Sequence, residues 1–336
     1  MDSGHVRLDH GSGGEASLEL ITDIFLRHFD NQYLSKMDDS AVLPPVYASL
    51  AMTTDSYVVD PIFFPGGDIG SLAVHGTIND LSMQGARPLY LTVGMIVEEG
   101  FLLEDLDRIA SSMAHAAAAA DVIIVAGDTK VVPRGHADKI FINTSGIGLV
   151  PNGLNVAADN ARPGDLILIN GSIADHGITI LTQREGLDFQ GTLASDSAPL
   201  HSLVDAILGA SPEVHVLRDP TRGGVASALN EIAHQSRVGI ELSEDGIPIR
   251  KEVRSACEIL GLDPLYIANE GKCLVFVAEK DAQRVLKAMK KHPYGAKASI
   301  IGRVTSDNPG HVLMRTQVGG TRIVSMLTGE QLPRIC

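Results

Sequence analysis

Val122-Ile123-Ile124-Val125-Ala126-Gly127-Asp128-Thr129-Lys130 opens as an unbroken apolar run and closes on a carboxylate, a hydroxyl and an amine. The apolar part, Val122 to Ala126, reads as a buried strand, with the polar residues just beyond its end. Upstream, Leu106, Ile109, Ala110 and Met113 keep the i, i+3, i+4, i+7 spacing of an amphipathic helix, with Glu104 and Asp105 at its electropositive start. Before that helix, Leu89, Leu91, Val93, Met95 and Val97 alternate with Tyr90, Thr92, Gly94 and Ile96, the period of a half-buried strand.

Earlier in the chain, Ala51 to Tyr57 reads as a strand and Ile69 to about Gln84 as a helix. Glu15 to Arg27 reads as a helix with Leu18, Ile21 and Phe25 on one face, following the glycine-rich His10-Gly11-Ser12-Gly13-Gly14. A polar stretch from Pro151 to Asp165 separates this half from a fresh apolar run, Leu166 to Ile169, and marks a domain boundary. Beyond it, helices are expected near Ile173–Arg184, Pro199–Leu208, Val225–Ala233 and Asp281–Lys291, with strands near Ile240, Leu274–Ala278 and Ile300–Val304. That pattern is α+β.

The chain has 336 residues, 44% of them hydrophobic, which excludes a disordered protein and allows two domains with a core each. Against 27 basic residues stand 41 acidic ones, a net charge of −14, which argues against a nucleic-acid backbone as the main partner. No segment resembles a signal peptide, and no apolar run approaches the roughly 20 residues that span a bilayer. Three cysteines without paired spacing point to a reducing, cytoplasmic setting.

Chemistry is expected first at four aspartates, Asp38, Asp55, Asp80 and Asp128. Each alone is also an ordinary turn residue. Ile69, Leu72, Ala73, Gly76 and Asp80 share one helical stripe, and a carboxylate on a buried stripe needs a cation or hydrogen-bond donors. Asp55 and Asp128 each follow an apolar strand, which places them at the mouth of a sheet. If the four converge, the oxygen-rich site suits Mg²⁺ carrying substrate phosphates. Gly13 and Gly14 precede a helix and let backbone N–H groups approach phosphate, or form a plain flexible loop.

Other patterns argue by absence. Gly271-Lys272 is followed by Cys273, so no Walker sequence is present, and the match of Gly11, Gly13 and Ala16 to a dinucleotide fingerprint lacks a convincing first strand. Arg218-Asp219-Pro220-Thr221-Arg222-Gly223-Gly224 opens a helix and either binds an anion or caps it. The histidines lack zinc spacing, and Gly-x-Ser-x-Gly is missing. Cys257 and Cys273 sit in apolar runs as core thiols do, whereas Cys336 ends the segment Pro333-Arg334-Ile335-Cys336, where a thiol can be carried to another site or is a chance terminal residue.

Taken together, Asp38–Leu43 (D-D-S-A-V-L), Gly76–Leu81 (G-T-I-N-D-L), Ala126–Lys130 (A-G-D-T-K), Arg218–Gly224 (R-D-P-T-R-G-G), Ala268–Gly271 (A-N-E-G) and the terminal P-R-I-C resemble the HypE family of hydrogenase maturation factors. The internal motifs also resemble the wider ATP-binding superfamily of aminoimidazole ribonucleotide synthetase, selenophosphate synthetase and thiamine-monophosphate kinase. The tail selects among them. No cysteine precedes Cys257, which departs from the reactive residue that selenophosphate synthetases carry near the N-terminal glycines.

The resemblance implies a two-domain PurM-like architecture: an α/β domain over 1–155 whose strands help form a barrel across a homodimer, an α+β domain over 156–320, and a mobile tail over 321–336. It implies ATP and Mg²⁺ at Asp38, Asp55, Asp80 and Asp128, with Thr129, Asn143, Gly13 and Gly14 as neighbours, and catalytic roles for Cys336, Lys130 and Glu270. The implied reaction converts a carbamoyl group on Cys336, supplied by the carbamoyltransferase HypF, into a thiocyanate with ATP as dehydrating agent. The cyanide then passes to iron on a HypC–HypD complex. Two alternatives stay open: an ATP-dependent enzyme of the same superfamily acting on a free small molecule, and a thiol carrier or scaffold without turnover, in which the carboxylates only stabilise the fold. Apart from these, Lys130 is either catalytic or a surface lysine, and Glu270 either catalytic or a solvated loop acid.

Overall fold

The computed structural model describes residues 4–187 and 193–328. In chain order the first half forms helix α1 (Glu15–Leu20), continued by a π-helical stretch Ile21–Leu26 into α2 (Arg27–Phe29), then β1 (Ser49–Tyr57), β2 (Phe63–Phe64), β3 (Gly67–Asp68), α3 (Ile69–Met83), β4 (Arg87–Glu98), α4 (Leu103–Ala119), β5 (Ile123–Val132) and β6 (Ile140–Val150). The chain divides into two compact units. One comprises the residues up to Phe63, Gly67–Leu81 and Ala86–Val150; the other comprises Phe64–Gly66, Ser82–Gly85 and the chain from Pro151.

The first unit is a four-stranded sheet in the order β1-β6-β4-β5, antiparallel except for the parallel pair β4/β5, whose crossover is α4. The alternation read in the sequence decides this: Leu91, Val93, Met95 and Val97 are buried on one face of β4, and α4 buries Leu106, Ile109, Ala110 and Met113. Helix α3 lies against the buried face, where Thr144 Oγ1 donates to the Ala73 carbonyl at 3.0 Å and lies 2.5 Å from Thr77 Oγ1. The opposite face keeps Leu50, Met52 and Ile96 exposed.

Three sequence expectations need correction here. β5 does not stop at Ala126 but runs through Gly127-Asp128-Thr129-Lys130, because pairing of Gly94 through Glu98 with Asp128 through Val132 overrides the low strand preference of glycine and aspartate. Asp128 therefore lies within its strand and not beyond it, and Asp55 lies inside β1, as the strand read over Ala51 to Tyr57 requires and against its placing at the sheet mouth. Glu15–Arg27 buries Ser17, Leu20 and Ile24 in place of Leu18, Ile21 and Phe25; Leu18 is 51% exposed.

The second unit contains β7 (Asp165–Ile169), α5 (Asp175–Arg184), α6 (His201–Ala210), β8 (Val214–Arg218), α7 (Gly224–Ser236), β9 (Gly239–Ser243), α8 (Lys251–Leu260), β10 (Leu274–Ala278), α9 (Glu279–Lys291), β11 (Ser299–Thr305), β12 (Val312–Arg315) and β13 (Thr321–Val324). Its seven strands follow the order β13-β12-β9-β11-β7-β10-β8, antiparallel except for β12/β9. Both faces are covered. Ile167, Ile169, Leu274 and Phe276 pack with Val225 and Leu229 of α7, while Leu168, Val275 and Val277 pack with Leu203 of α6 and Val285 of α9. Strands apolar on both faces read as continuous apolar runs, as Leu166–Ile169 and Leu274–Ala278 do. Thr321–Val324, assigned to the tail from sequence, is the edge strand, paired with β12 from Val312↔Val324 to Arg315↔Thr321. Among the described residues no helix is long and apolar enough to cross a membrane.

Candidate active site

In the first unit, a cavity of about 420 Å³ brings together Gly13, Asp38, Asp128, Thr129 and Lys130, over an apolar wall that includes Val93 and Met95. Asp38 and Asp128 have no ion-pair partner among the described residues, and Lys130 is exposed. The cavity thus offers two carboxylates free to take a cation, with an ammonium beside them. Gly13 contributes less than its position suggests, since its N–H donates to Ser17 Oγ at 2.8 Å; Gly14, the N-cap of the six-residue α1, does not line the cavity.

Strand register separates the remaining residues. Ser56, Asn143, Gly94 and Asp128 form one row across the sheet, and Asp55, Thr144, Val93 and Gly127 the next. Adjacent rows face opposite sides. Asp128, Lys130 and Asn143 belong to the open face, Asp55 and Thr129 to the face covered by α3; the cavity takes residues of both faces because it lies at the β5 edge, whereas Asp55 on β1 and Asn143 on β6 lie away from that edge. Asn143 is engaged with β1: its Nδ2 donates to the Asp55 carbonyl at 2.9 Å and to Ser56 Oγ at 3.0 Å. Asp80, at the end of its buried stripe, accepts a hydrogen bond from Thr53 Oγ1 at 2.8 Å. The four aspartates therefore do not gather into one cage, and no group of three or more His, Cys, Asp or Glu among the described residues is placed to hold a metal ion. Mg²⁺ needs no such cage, because it takes one or two protein carboxylates and completes its shell with water and phosphate. Asp38 and Asp128 fit that requirement.

In the second unit, Glu270 lies in the loop ahead of β10 and is only 6% exposed, which removes the reading of a solvated loop acid. Its N–H donates to Asp196 Oδ1 at 3.2 Å. Asp196 Oδ2 lies 2.8 Å from Lys272 Nζ, an ion pair in which both side chains are almost wholly enclosed. Burial pushes the Asp196 carboxyl up, but Lys272, His176 and the Glu270 N–H together bring it below the usual carboxylate range. His176 Nδ1 and Ser195 Oγ are 2.8 Å apart, and burial pushes this imidazole down to about 4. Asp175 is raised by burial, against the hydrogen bond it accepts from Ser172 Oγ.

Sequence reasoning missed Asp196, His176 and Lys272. The one available signal was Lys272 itself, a lysine opening the apolar run Cys273–Ala278 and so in need of a buried counter-charge. Within Arg218–Gly224, Arg218 pairs with Glu231 at 2.7 Å at the surface, and the Pro220 carbonyl accepts from Asn269 Nδ2 at 2.9 Å. Cys336 lies outside the described residues.

Residues 37–150 match the N-terminal domain, and residues 162–314 the C-terminal domain, of AIR synthase related proteins. The chain is 56% identical over 338 aligned positions to carbamoyl dehydratase HypE of Azotobacter vinelandii, with 100% of this chain and 98% of the relative covered. The chain belongs to the HypE family. Solved HypE structures share its fold: HypE in complex with ATP superposes with a TM-score of 0.95 at 54% identity, covering 98% of this chain and 99% of that one. HypE in a HypE–HypF complex gives 0.81 at 50% identity, covering 92% and 99%. Membership of the HypE family accounts for the presence of both domains in one chain.

Proposed function

We propose that this chain uses ATP to dehydrate a carbamoyl group carried on its own Cys336 to a thiocyanate, the source of the cyanide ligand on the iron of [NiFe]-hydrogenase. The observation that carries this reading is the likeness to carbamoyl dehydratases along the whole chain, tail included. The carbamoyl oxygen is a poor leaving group. Its attack on the γ-phosphorus expels ADP and, with loss of one N–H proton, gives an O-phosphorylated imidate on the Cys336 sulfur. Loss of the second N–H proton and departure of phosphate then complete the C≡N bond. The net change is removal of one water as ATP becomes ADP and phosphate.

Asp38 and Asp128 are the residues that would hold Mg²⁺, which supplies charge neutralisation on the phosphates. Lys130 stabilises phosphate or oxygen charge from the same cavity, and Thr129 lies next to it. Asp55, Asp80, Asn143 and Gly14 act in the nucleotide site only through a rearrangement or a second copy, since in one protomer they do not reach the cavity. Glu270 is the base that takes an N–H proton. Residues from 325 onward form the carrier segment that presents Cys336. HypF supplies the carbamoyl group, and a HypC–HypD complex receives the cyanide. The chain acts as a homodimer joined through the open sheet face, where exposed Leu50, Met52 and Ile96 offer apolar area that a barrel closed by two sheets would bury.

Intact mass spectrometry tests the reading. With a carbamoyl-donor system the protein gains a Cys336 adduct, and addition of Mg-ATP removes one water from it. An adduct that never dehydrates returns the chain to a thiol carrier. Full turnover of a free substrate by Cys336→Ala returns it to a small-molecule enzyme. Cys336→Ala is expected to keep nucleotide binding by calorimetry.

A further inference from the structure

The loop that carries Glu270 is held on both sides by groups far away in the chain. Ahead of it, Asn269 Oδ1 accepts from the Ala174 N–H at 2.7 Å, and its Nδ2 donates to the carbonyls of Pro220 and Ile267 at 2.9 and 3.0 Å. Behind it, Asn170 Nδ2 donates to the Gly271 carbonyl at 3.1 Å, and Asn170 Oδ1 accepts from the Cys273 N–H at 2.8 Å. Between these anchors the Glu270 N–H meets Asp196 Oδ1, while Lys272 holds the other oxygen of the same carboxylate. The fit leaves no slack: a Cβ on Gly271 would stand 1.8 Å from the Asp196 carbonyl oxygen. One carboxylate therefore fixes the backbone on which Glu270 stands, and Lys272 fixes that carboxylate.

A buried ion pair is weak evidence for stability, since apolar residues of similar volume often replace it at no cost. Its retention beside a loop acid calls for another use. We propose that Asp196, with Lys272 as its counter-ion, is a positioning residue for Glu270, holding the Glu270 main chain in the geometry for proton removal. The proposal rests on the assignment of Glu270 as the base. A proton acceptor must be held within hydrogen-bond reach of the proton it takes, and a backbone fixed at adjacent peptide groups supplies that alignment.

The test is single-turnover dehydration of the Cys336 adduct in the full-length protein, followed by intact mass, with nucleotide affinity by calorimetry and thermal unfolding alongside. Asp196→Asn leaves Lys272 without its counter-charge and is expected to slow dehydration at least tenfold while ATP affinity changes less than twofold. In a Glu270→Gln background the same change should cost less than twofold, because a residue acting through Glu270 has nothing left to position. If Asp196→Asn folds poorly, D196L/K272M replaces the pair with apolar side chains, and the same slowing is expected in a protein of normal stability. Equal losses from Asp196→Asn in both backgrounds, or a full rate in D196L/K272M, overturn the positioning role and leave Glu270 as base. A full rate in Glu270→Gln removes the base assignment, and the role of Asp196 with it.

Discussion

Thr53 donates its hydroxyl to Asp80 Oδ2 at 2.8 Å, tying β1 to the end of α3. A carboxylate at the end of a buried helical stripe needs donors, and this is one of those it has. Thr53→Val keeps the shape of the side chain and removes the donor. Leaving a partly buried carboxylate short of a hydrogen bond costs about 1–3 kcal/mol. Urea unfolding is expected to show that loss, with Asp80→Asn reducing the effect of Thr53→Val because the charge that needs the donor is gone.

Gly76 of the same helix stands where a Cβ would lie 2.1 Å from the Tyr57 hydroxyl oxygen and 3.0 Å from its ring carbon Cζ. Tyr57 is 4% exposed and closes the end of β1, so its ring has little room to retreat. Gly76→Ala gains helix propensity yet is expected to lose about 1–3 kcal/mol from overpacking. Gly76→Ala combined with Tyr57→Phe, which removes the hydroxyl, should recover part of the loss in the same denaturation experiment.

The strand, helix and strand from Leu89 to Ala126 were legible because each element carries its own period in side chains. β6 was not, since Gly146 and Gly148 interrupt the alternation of Ile140, Ile142 and Thr144 that faces the core. The continuation of β5 through Gly127-Asp128 depends on β4 beside it, which no local preference reports. Of the site, the carboxylates and Lys130 were visible as motifs, but their sides of the sheet follow from register alone. Glu270 was named, yet its N–H is held by Asp196, 74 residues earlier in the chain, and only folding brings the two together.

Of the three cysteines, Cys257 is 2% exposed and Cys273 fully buried, and burial pushes their thiols up to about 11 and about 12. At about pH 8 on the order of one Cys257 in a thousand would be thiolate, and fewer at Cys273. Alkylation of the native protein is expected to stop at one label, mapped by peptide mass to Cys336, and to reach three after unfolding in urea. Modification of Cys273 in the native protein would contradict the closed packing ahead of β10.

His176 titrates near 6.5 in an unfolded chain and is pushed down to about 4 by burial, so between those values only the unfolded state binds its proton. Stability must then fall as pH drops from 6.5 towards 4, by about 3 kcal/mol for this group at the lower end. Asp196, held low, adds to the decline at more acid pH, whereas Asp175, raised by burial, opposes it by taking a proton in the folded state. Urea midpoints for the wild type and His176→Gln, measured at about pH 7 and about pH 4.5, separate these contributions, since glutamine cannot titrate. The variant is expected to lose less stability than the wild type over that interval, whatever its stability at pH 7. Equal losses would mean that His176 takes its proton inside the folded protein, where its Nε2 is buried without a hydrogen-bond partner.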